Sequence, residues 1–414
     1  MERTILHCDL NGFYASVEAL YHPEFRDRPL AVGGNVEDRH GIILAKNEPA
    51  KKYRIMTGET LAEARCKCPE LVIIPPNFPR YLSFSNRVRT IMKDYTDLIE
   101  PFGIDEAWMD VSGCNKLFGN GEKIADELRK RIKFELGITA SVGVSYNKIF
   151  AKLGSDYKKP DATTSISQSE KAKIVDPLPI GDLLYVGRSS EFKLHSIGVR
   201  TIGQLAKLPP DLLKGMFGKN GLTLWEFANG YEHSPVRYWG QDVPVKSIGN
   251  SVTTKRDLVT VDDLKIVLYV LAQSVAARLR DQNYQAKKIA VYWRDNELHG
   301  DGHQMILELP SSTGKELWTQ GMNLLLKYYD LSVPLRSLGI KAFDLTSSSQ
   351  DQQLNLFTDQ TQRDKQLELE KTIDLVKQRF GYQSIKTGLL AEDLQLSNFD
   401  PKNEHVIHPE SFFH

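Results

Sequence analysis

The sequence has little that would place it in a membrane or cross-link it by disulfides. Its 414 residues contain no apolar run near the roughly 20 residues that a membrane-spanning helix needs. The N-terminus has no basic segment followed by a long apolar stretch, and the four cysteines are too few and too scattered to staple a chain of this length. These absences exclude integral membrane and disulfide-rich secreted proteins, and we expect a cytoplasmic protein.

The chain also lacks net charge, since 53 Lys and Arg balance 53 Asp and Glu. The balance is uneven, because residues 345–414 carry seven basic and eleven acidic residues, which leaves an excess of four positive charges in residues 1–344. A mildly basic body fits a protein that contacts phosphates through a few placed cations. We therefore expect weak intrinsic affinity for nucleic acid, for which an accessory tether would be useful.

Length and hydrophobic patterning predict several α+β domains, because 414 residues exceed what one hydrophobic core serves. In the N-terminal part, strands over 4–9, 98–104, 107–111 and 138–144 and a helix over 122–135 follow a ferredoxin-like order. Short helices with glycine turns are predicted over 178–232, and a polar linker over 233–246. A second α+β domain is predicted from helices over 264–282 and 317–328 and strands over 288–293, 304–309 and 340–345.

Three acidic residues stand out in this pattern. Asp9 ends the first strand, and Asp105 and Glu106 lie at the tip of the 98–111 hairpin. Carboxylates that meet at strand ends repel one another unless a cation lies between them, and oxygen ligands at an open site suit Mg²⁺. A pair of such ions could activate a hydroxyl and neutralise a departing pyrophosphate. From composition alone, surface carboxylates in turns remain the competing interpretation.

Three segments carry a resemblance to a known family. Residues 7–18 (HCDLNGFYASVE), 103–110 (GIDEAWMD) and 141–148 (SVGVSYNK) resemble, in order and spacing, consecutive motifs of the Y-family lesion-bypass DNA polymerases of the DNA polymerase IV type. Residues 246–249 (KSIG) extend the similarity into the last domain, so that it runs from residue 4 to about residue 357. The resemblance implies template-directed addition of deoxyribonucleotides to a primer 3′ end, with low fidelity and at damaged DNA, by a monomer.

The resemblance also implies a domain order. It places an α+β, ferredoxin-like palm in residues 1–10 and 78–165, small fingers in 11–77, a helical thumb in 166–232, a linker in 233–245 and a separate α+β little finger in 246–345. Residues 346–414 would form a tail that includes a helix over 359–380 with one apolar face. The sequence does not indicate what that helix binds.

The family's design assigns roles at matching positions. Asp9 and Asp105 by side chain and Leu10 by its carbonyl would bind two Mg²⁺ ions, and Glu106 would be the catalytic acid beside the primer 3′ hydroxyl. Tyr14, next to Phe13, would be the steric gate that excludes ribonucleotides, although a core aromatic is the alternative. Lys159 would contact the triphosphate of the incoming nucleotide, although alone it reads as a solvated charge.

The segment 41–53 departs from the family pattern. Glu48 and Lys51 stand where the family usually has a triphosphate-binding tyrosine and arginine. A carboxylate cannot donate to phosphate, and Lys51 could act only as a point charge without bidentate geometry. We therefore expect a raised Michaelis constant for nucleotide, with Lys46 as a compensating cation. Leu44 is expected to lie against the templating base.

Two regions are expected to hold DNA. The glycine turns at Gly187–Arg188 and Gly198 resemble helix-hairpin-helix elements, whose backbone amides receive phosphates without reading sequence. The first is degenerate, because Tyr185 stands where glycine is common. In the last domain we expect strand-borne cations on the phosphates: Lys246, Arg256, Lys288 and Arg294.

A short peptide after the last domain resembles the bacterial sliding-clamp-binding motif. Its anchors would be Leu356 and Phe357, with Gln353 and Leu354 beside them. A strand end packed on its own domain is the alternative.

Two other functions also remain open for the whole chain: a nucleotidyl cyclase, which uses a similar sheet and acids, and a catalytically weak DNA-binding scaffold tethered to the clamp. The cyclase would have no use for a clamp peptide, and intact Asp9, Asp105 and Glu106 disfavour the scaffold.

Overall fold

The computed structural model describes residues 3–34, 41–241, 244–349 and 359–401. They form two compact units, one of residues 3–34 and 41–241 and one of residues 244–349 and 359–401. Within these ranges, every helix is too short or too polar to cross a membrane.

The strands and helices alternate in the order of a mixed α+β chain. The strands are β1 Ile5–Leu10, β2 Leu30–Gly33, β3 Ile43–Lys46, β4 Val72–Ile74, β5 Ile99–Pro101, β6 Glu106–Asp110, β7 Ala140–Ser145, β8 Thr163–Ile166, β9 Ser247–Leu258, β10 Tyr284–Asp295, β11 Gly300–Ser311 and β12 Leu335–Ser347. The helices are α1 Phe13–Tyr21, α2 Glu48–Lys51, α3 Leu61–Lys67, α4 Phe78–Lys93, α5 Asn115–Phe118, α6 Gly121–Leu136, α7 Lys148–Tyr157, α8 Lys171–Ile174, α9 Arg188–Ser196, α10 Ile202–Ala206, α11 Pro210–Phe217, α12 Lys219–Asn229, α13 Val261–Asp281, α14 Gly314–Tyr328, α15 Gln360–Phe380 and α16 Leu394–Ser397.

The first unit is built on a five-stranded sheet in the order β5-β6-β1-β7-β8. The central strand β1 is buried along its whole length, and it pairs antiparallel with both β6 and β7. Leu6 and Cys8 share a core with α4 and α6, whereas Ile5 shares one with Ala151 of α7. Because side chains alternate along a strand, Asp9 lies on the same face as Ile5, towards α7.

Helix α7 packs unusually close to the sheet. A Cβ built on Gly143 of β7 would lie 1.8 Å from the carbonyl oxygen of Ala151, so only glycine permits this approach. Asn147 caps the helix by accepting a hydrogen bond from the amide of Phe150. The close approach brings the polar face of α7 over the end of β1.

A smaller sheet of β3, β2 and β4, with α2 and α3, forms the region expected to be the fingers. It is joined to the large sheet at Gly12, whose φ of 52° lies in the left-handed region. A Cβ at this position would lie 2.8 Å from the carbonyl oxygen of Lys46, so the turn requires glycine.

The helical region α8–α12 has its own core, which includes Leu194, Ile202 and Leu224. The segment after it differs from the expected linker over 233–245, because its described first part is anchored on the large sheet. Val236 is buried against Ile5 and Trp108. Trp239 donates its backbone N–H to the carbonyl of Asp97 at 2.9 Å.

A buried ion pair supports this anchoring. Lys148 Nζ lies 2.6 Å from Glu100 Oε2 and donates to the carbonyl of Pro235 at 2.7 Å, and the Lys148 side chain is only 2% exposed. A buried charge of this kind is tolerated only when it is paired and hydrogen-bonded.

The second unit is a four-stranded antiparallel sheet in the order β11-β10-β12-β9, with α13 and α14 packed on one face. The residues expected to form a tail extend this unit. Arg280 of α13 pairs with Glu370 of α15 at 2.7 Å, and Glu370 also accepts the backbone amide of Gly314 at 2.7 Å. Leu390 and Leu396 are buried in the same core as α13.

Candidate active site

The backbone pairing of β1 with its neighbours gathers the three predicted acids. Asp9 lies directly opposite Glu106 in the β1–β6 register, and Leu10 donates its N–H to the carbonyl of Asp105 at 3.1 Å. The side chain of Asp9 is buried, and those of Asp105 and Glu106 are half-buried. Positions nearly a hundred residues apart in the chain therefore meet at one end of the sheet, as the sequence predicted.

Cations from α7 and the following loop face these acids. Lys159 Nζ lies 2.7 Å from Asp9 Oδ2, and Lys152 Nζ lies 2.5 Å from Glu106 Oε2. His7 Nε2 lies 3.3 Å from Glu106, while the other ring nitrogen of His7 is hydrogen-bonded to Ser155 Oγ at 2.8 Å. Neither Lys152 nor His7 was predicted from the sequence as a partner of Glu106.

Burial and mutual repulsion shift the proton affinities of the acids. Burial and the charge of Glu106 raise the pKa of Asp9 to about 7, against the opposing effect of Lys159. Burial and the same charge raise the pKa of Asp105 to about 6. Burial alone would raise the pKa of Glu106, but contacts with His7 and Lys152 outweigh it and lower that pKa. Asp9 and Asp105 therefore take up a proton more readily than free carboxyl groups do.

This donor set suits a divalent cation of the Mg²⁺ type, which prefers carboxylate and carbonyl oxygen. In the part of the chain that the structure describes, no three His, Cys, Asp or Glu side chains are gathered as a ligand cluster. Lys159 and Lys152 contact one oxygen of Asp9 and one of Glu106 in this arrangement. The oxygen chemistry of the three acids nevertheless fits a metal of this type.

An aromatic stack borders the acids. The ring of Tyr14 lies nearly parallel to that of Tyr81, with centroids 4.4 Å apart, and edge-on to Phe78 at 6.0 Å. Tyr81 is fixed in turn, because its hydroxyl donates to the buried carboxylate of Glu18 at 2.7 Å. Burial, followed by the charge of Asp105, raises the pKa of Tyr14 to about 12. Phe13 is buried beside it.

Sequence comparisons agree with this geometry. Profiles described as "impB/mucB/samB family", "DNA polymerase-iota, thumb domain" and "impB/mucB/samB family C-terminal domain" match residues 8–156, 181–232 and 245–356. The chain is 49% identical to DNA polymerase IV of Acetivibrio thermocellus over 96% of its own length and 100% of the relative's, and 37% identical to that of Moorella thermoacetica over 91% and 94%. The chain belongs to the Y-family DNA polymerases, of the DNA polymerase IV type.

Solved structures share the fold of this family member. The Y-family DNA polymerase chimera Dbh-Dpo4-Dbh is similar with a TM-score of 0.72 at 24% identity, over 83% of this chain and 99% of that one. DinB from Sulfolobus solfataricus is similar with a TM-score of 0.55 at 23% identity, over 82% and 98%. The expected palm, thumb and little finger are therefore the architecture of this chain.

The positions at which this Y-family chain departs from the family pattern lie on the edge of the small sheet. Lys51 Nζ lies 2.5 Å from Glu48 Oε1, one turn away on α2, so the two unusual residues pair with each other. Lys46 Nζ donates to Thr57 Oγ1 at 3.1 Å, and its pKa is lowered by burial and by Lys51. Leu44 is half-buried in β3.

The thumb presents two open turns. Gly187 caps α9, and Gly198, with a φ of 85°, ends the turn after it; a Cβ built on either meets no described atom within 4 Å. Both glycines and Arg188 are exposed. Tyr185 stands at the position where glycine is common. Its φ is 71°, so its backbone is in the left-handed region although it carries a side chain.

The little-finger cations fall into two groups. Lys288 and Arg294 alternate with the buried Ile289, Val291 and Trp293, so they share the face of the sheet that α13 and α14 do not cover. Lys288 pairs with Asp344 at 3.0 Å. Lys341 of β12, opposite Ala290, is on that face too and was missed, although it alternates with the buried Ile340 and Ala342.

The remaining predicted contacts are placed differently. Arg256 is held by Asp263 and Asp393, each at 2.7 Å, which favours a structural role. Lys246 is exposed just before β9. The clamp peptide with Gln353, Leu354, Leu356 and Phe357 lies outside the described residues.

Proposed function

We propose that this chain is a DNA-directed DNA polymerase that extends a primer 3′ end across damaged templates, with two Mg²⁺ ions and recruitment by a sliding clamp. DNA and deoxyribonucleoside triphosphates are its substrates. The observation that carries the proposal is the convergence of Asp9, Asp105 and Glu106 at one end of the sheet, beside the stacked ring of Tyr14.

Membership of the family implies dependence on a divalent cation. We assign the ligands to the side chains of Asp9 and Asp105 and the carbonyl of Leu10, with Glu106 beside the primer 3′ hydroxyl. Two such ions, when bound, would supply the chemistry that lowers the pKa of that hydroxyl and neutralises the triphosphate. Lys152, which is ion-paired with Glu106, keeps this carboxylate ionised and fixes its orientation.

Two side chains would act on the nucleotide directly. Lys159 would turn from Asp9 to the triphosphate, exchanging one anionic partner for another. Tyr14 would lie under the sugar, where its stack on Tyr81 prevents it from yielding to a 2′ hydroxyl. The first role orients the substrate, and the second selects deoxyribose.

The duplex would be held through phosphates, without sequence readout. The thumb would contribute the exposed turns at Gly187–Arg188 and Gly198, although the Gly198 amide already donates to the carbonyl of His195 at 3.0 Å. The little finger contributes the uncovered sheet face with Lys288, Arg294 and Lys341, and Lys246 beside it. Arg256 is left out, because both of its partners are carboxylates of the same unit.

Recruitment would use residues 353–357, with Leu356 and Phe357 as anchors in an apolar pocket of the clamp. A tether of this kind raises the local concentration of a polymerase with few phosphate contacts. We infer that the polymerase acts as a monomer, and in the cytoplasm, where its proposed substrates are found.

Primer extension tests the proposal. The chain should extend a labelled primer opposite an abasic or alkylated template base with Mg²⁺ and stall without divalent metal. Template-independent addition, or a product made from a nucleotide without a primer, would overturn the assignment and favour cyclase chemistry.

A further inference from the structure

The loop that carries Lys159 has an unusual backbone. Asp161, two residues after Lys159, has a φ of 51°, in the left-handed region that residues with a Cβ seldom adopt. Such a conformation costs free energy and persists only where the surroundings hold it. Two side chains do so here, one from the turn after β1 and one from helix α6.

Asn11 holds the amide side of this residue. Its Oδ1 accepts the N–H of Asp161 at 2.8 Å and the hydroxyl of Thr139 at 3.1 Å, and its Nδ2 donates to Ser141 Oγ at 2.9 Å. Because a backbone N–H can only donate, the orientation of the amide is fixed. Asn11 is 5% exposed, so these bonds are shielded from water.

Arg129 of α6 holds the carbonyl side. Its Nη2 donates to the backbone carbonyl of Asp161 and, at 2.7 Å, to Asp161 Oδ1. The same guanidinium reaches Thr163 Oγ1 at 3.2 Å and the carbonyl of Ala140 at 3.3 Å. It therefore ties the loop to α6, to the start of β7 and to β8 at once.

We propose that Asn11 and Arg129 are positioning residues that fix the Asp161 backbone and thereby aim Lys159 at the nucleotide triphosphate. The inference rests on the proposed role of Lys159. A lysine has a long, flexible stem, so the precision of its ammonium depends on where its Cα is held. Neither residue touches the nucleotide in this account.

Lys133 provides a matched control. It contacts the other oxygen of the same carboxylate, Asp161 Oδ2, at 2.8 Å, but it is about half exposed, and among the described residues its ammonium makes no bond to the loop backbone. An exposed ion pair of this type contributes little. If charge on Asp161 alone mattered, Lys133 and Arg129 would matter alike; if the held backbone matters, only Arg129 does.

Single-nucleotide insertion kinetics test the inference on the full chain. Lys159→Ala should raise the KM for nucleotide, and Arg129→Met should raise it by about tenfold with a smaller change in kcat. Lys133→Met should stay within about twofold of wild type. In the Lys159→Ala background, Arg129→Met should add less than about twofold, because both changes act through one ammonium.

A second pair of variants tests the same inference at Asn11, in case Arg129→Met does not fold. Asn11→Leu removes the oxygen that accepts the Asp161 amide and should raise the KM. Thr139→Val removes only the other donor to that oxygen and should retain a KM near wild type. Thermal unfolding checks that both variants are folded.

The outcomes separate two failures. If wild type is active and Lys159→Ala raises KM but Arg129→Met and Asn11→Leu do not, the positioning inference is overturned and the proposed function stands. If Lys159→Ala leaves KM unchanged, the role of Lys159 and the inference both fall. If Arg129→Met is additive with Lys159→Ala, its effect does not pass through Lys159, which also overturns the inference.

Discussion

Tyr14 is the residue whose role can be tested most simply. Tyr14→Ala removes a ring that is stacked on Tyr81 and cannot yield to a 2′ hydroxyl. We expect the preference for deoxyribonucleotides over ribonucleotides to fall by about tenfold or more, because rejection depends on a rigid clash. The ratio of kcat/KM for dCTP and CTP opposite guanine measures it. A ratio unchanged from wild type would show that Tyr14 is only a packing residue.

Lys51 and Glu48 test the departure from the family pattern. Their ion pair at 2.5 Å ties up the cation that would replace the usual arginine. We expect Glu48→Gln to lower the KM for nucleotide by about twofold and Lys51→Ala to raise it by a similar factor, as befits a half-exposed charge. Steady-state insertion kinetics check both, with Lys52→Ala as the exposed neighbour control. Lys51→Ala without effect would remove Lys51 from the site.

Sequence motifs located the acids and the gate, but not the residues that support them. Asp9, Asp105 and Glu106 lie in segments whose pattern is specific. His7 and Lys152 contact Glu106 because of the β1–β6 register and the close approach of α7 to Gly143. Arg129 acts from α6 on Ala140, Asp161 and Thr163. A lysine or arginine on a helix reads as a solvated charge until that packing is known, so their roles could not be predicted.

The start of helix α13 gives a pH-dependent prediction at the level of one element. Asp263 accepts hydrogen bonds from the amides of Val259 and Thr260 and from Arg256. Burial alone would raise the pKa of Asp263, but these bonds, led by that from Arg256, lower it to about 2. A carboxyl with a lowered folded-state pKa stabilises the fold above its unfolded pKa of about 3.9 and stops doing so as pH falls through about 2.

We therefore expect Asp263→Asn to lower the melting temperature of the second unit by a few degrees at pH 7, and the difference to shrink as pH falls from about 4 towards 2. Thermal unfolding of the full chain across this range measures it. Asp262→Asn, an exposed neighbour that pairs only with Lys265 among the described residues, should have little effect at any pH. A difference independent of pH would contradict the assignment.

In the second unit, an element with a clear apolar repeat was predicted and a more polar one was not. The prediction of a helix over 264–282 corresponds to α13, Val261–Asp281. Strand β9, Ser247–Leu258, was not predicted, because many of its residues are polar and lie on the face of the sheet that the helices leave uncovered. The segment after the thumb was expected to be a free linker because it is rich in proline and polar residues, yet the buried Lys148–Glu100 pair and Val236 anchor it.

At the scale of the whole molecule, residues 353–357 are flanked on both sides by chain that belongs to the second unit. Strand β12 precedes them, and α15, which pairs with Arg280, follows. The sequence predicted a tail here, because the apolar face of the helix does not indicate that it docks through the carboxylates of Glu370 and Asp374.

The proposed tether yields a prediction for the assembled replication system. Deleting residues 353–357 should reduce the length of product made per binding event about tenfold when a loaded clamp is present, and leave synthesis without clamp unchanged. Leu356→Ala with Phe357→Ala should reproduce the deletion, and Leu375→Ala on the exposed side of α15 should not. Equal product lengths with and without the peptide would rule out the tether.

The central claim is that three carboxylates at the end of β1 and β6 carry out nucleotide transfer, and one measurement tests it directly. Primer extension should be compared for wild type and the variants Asp9→Asn, Asp105→Asn and Glu106→Gln. Asp110→Asn is the control, because Asp110 is another acid of β6 and its carboxylate accepts hydrogen bonds from Ser112. We predict losses of about 10²-fold or more in kcat/KM for the first three variants and near wild-type rates for Asp110→Asn. Asp105→Asn extending primers within about threefold of wild type would contradict the account.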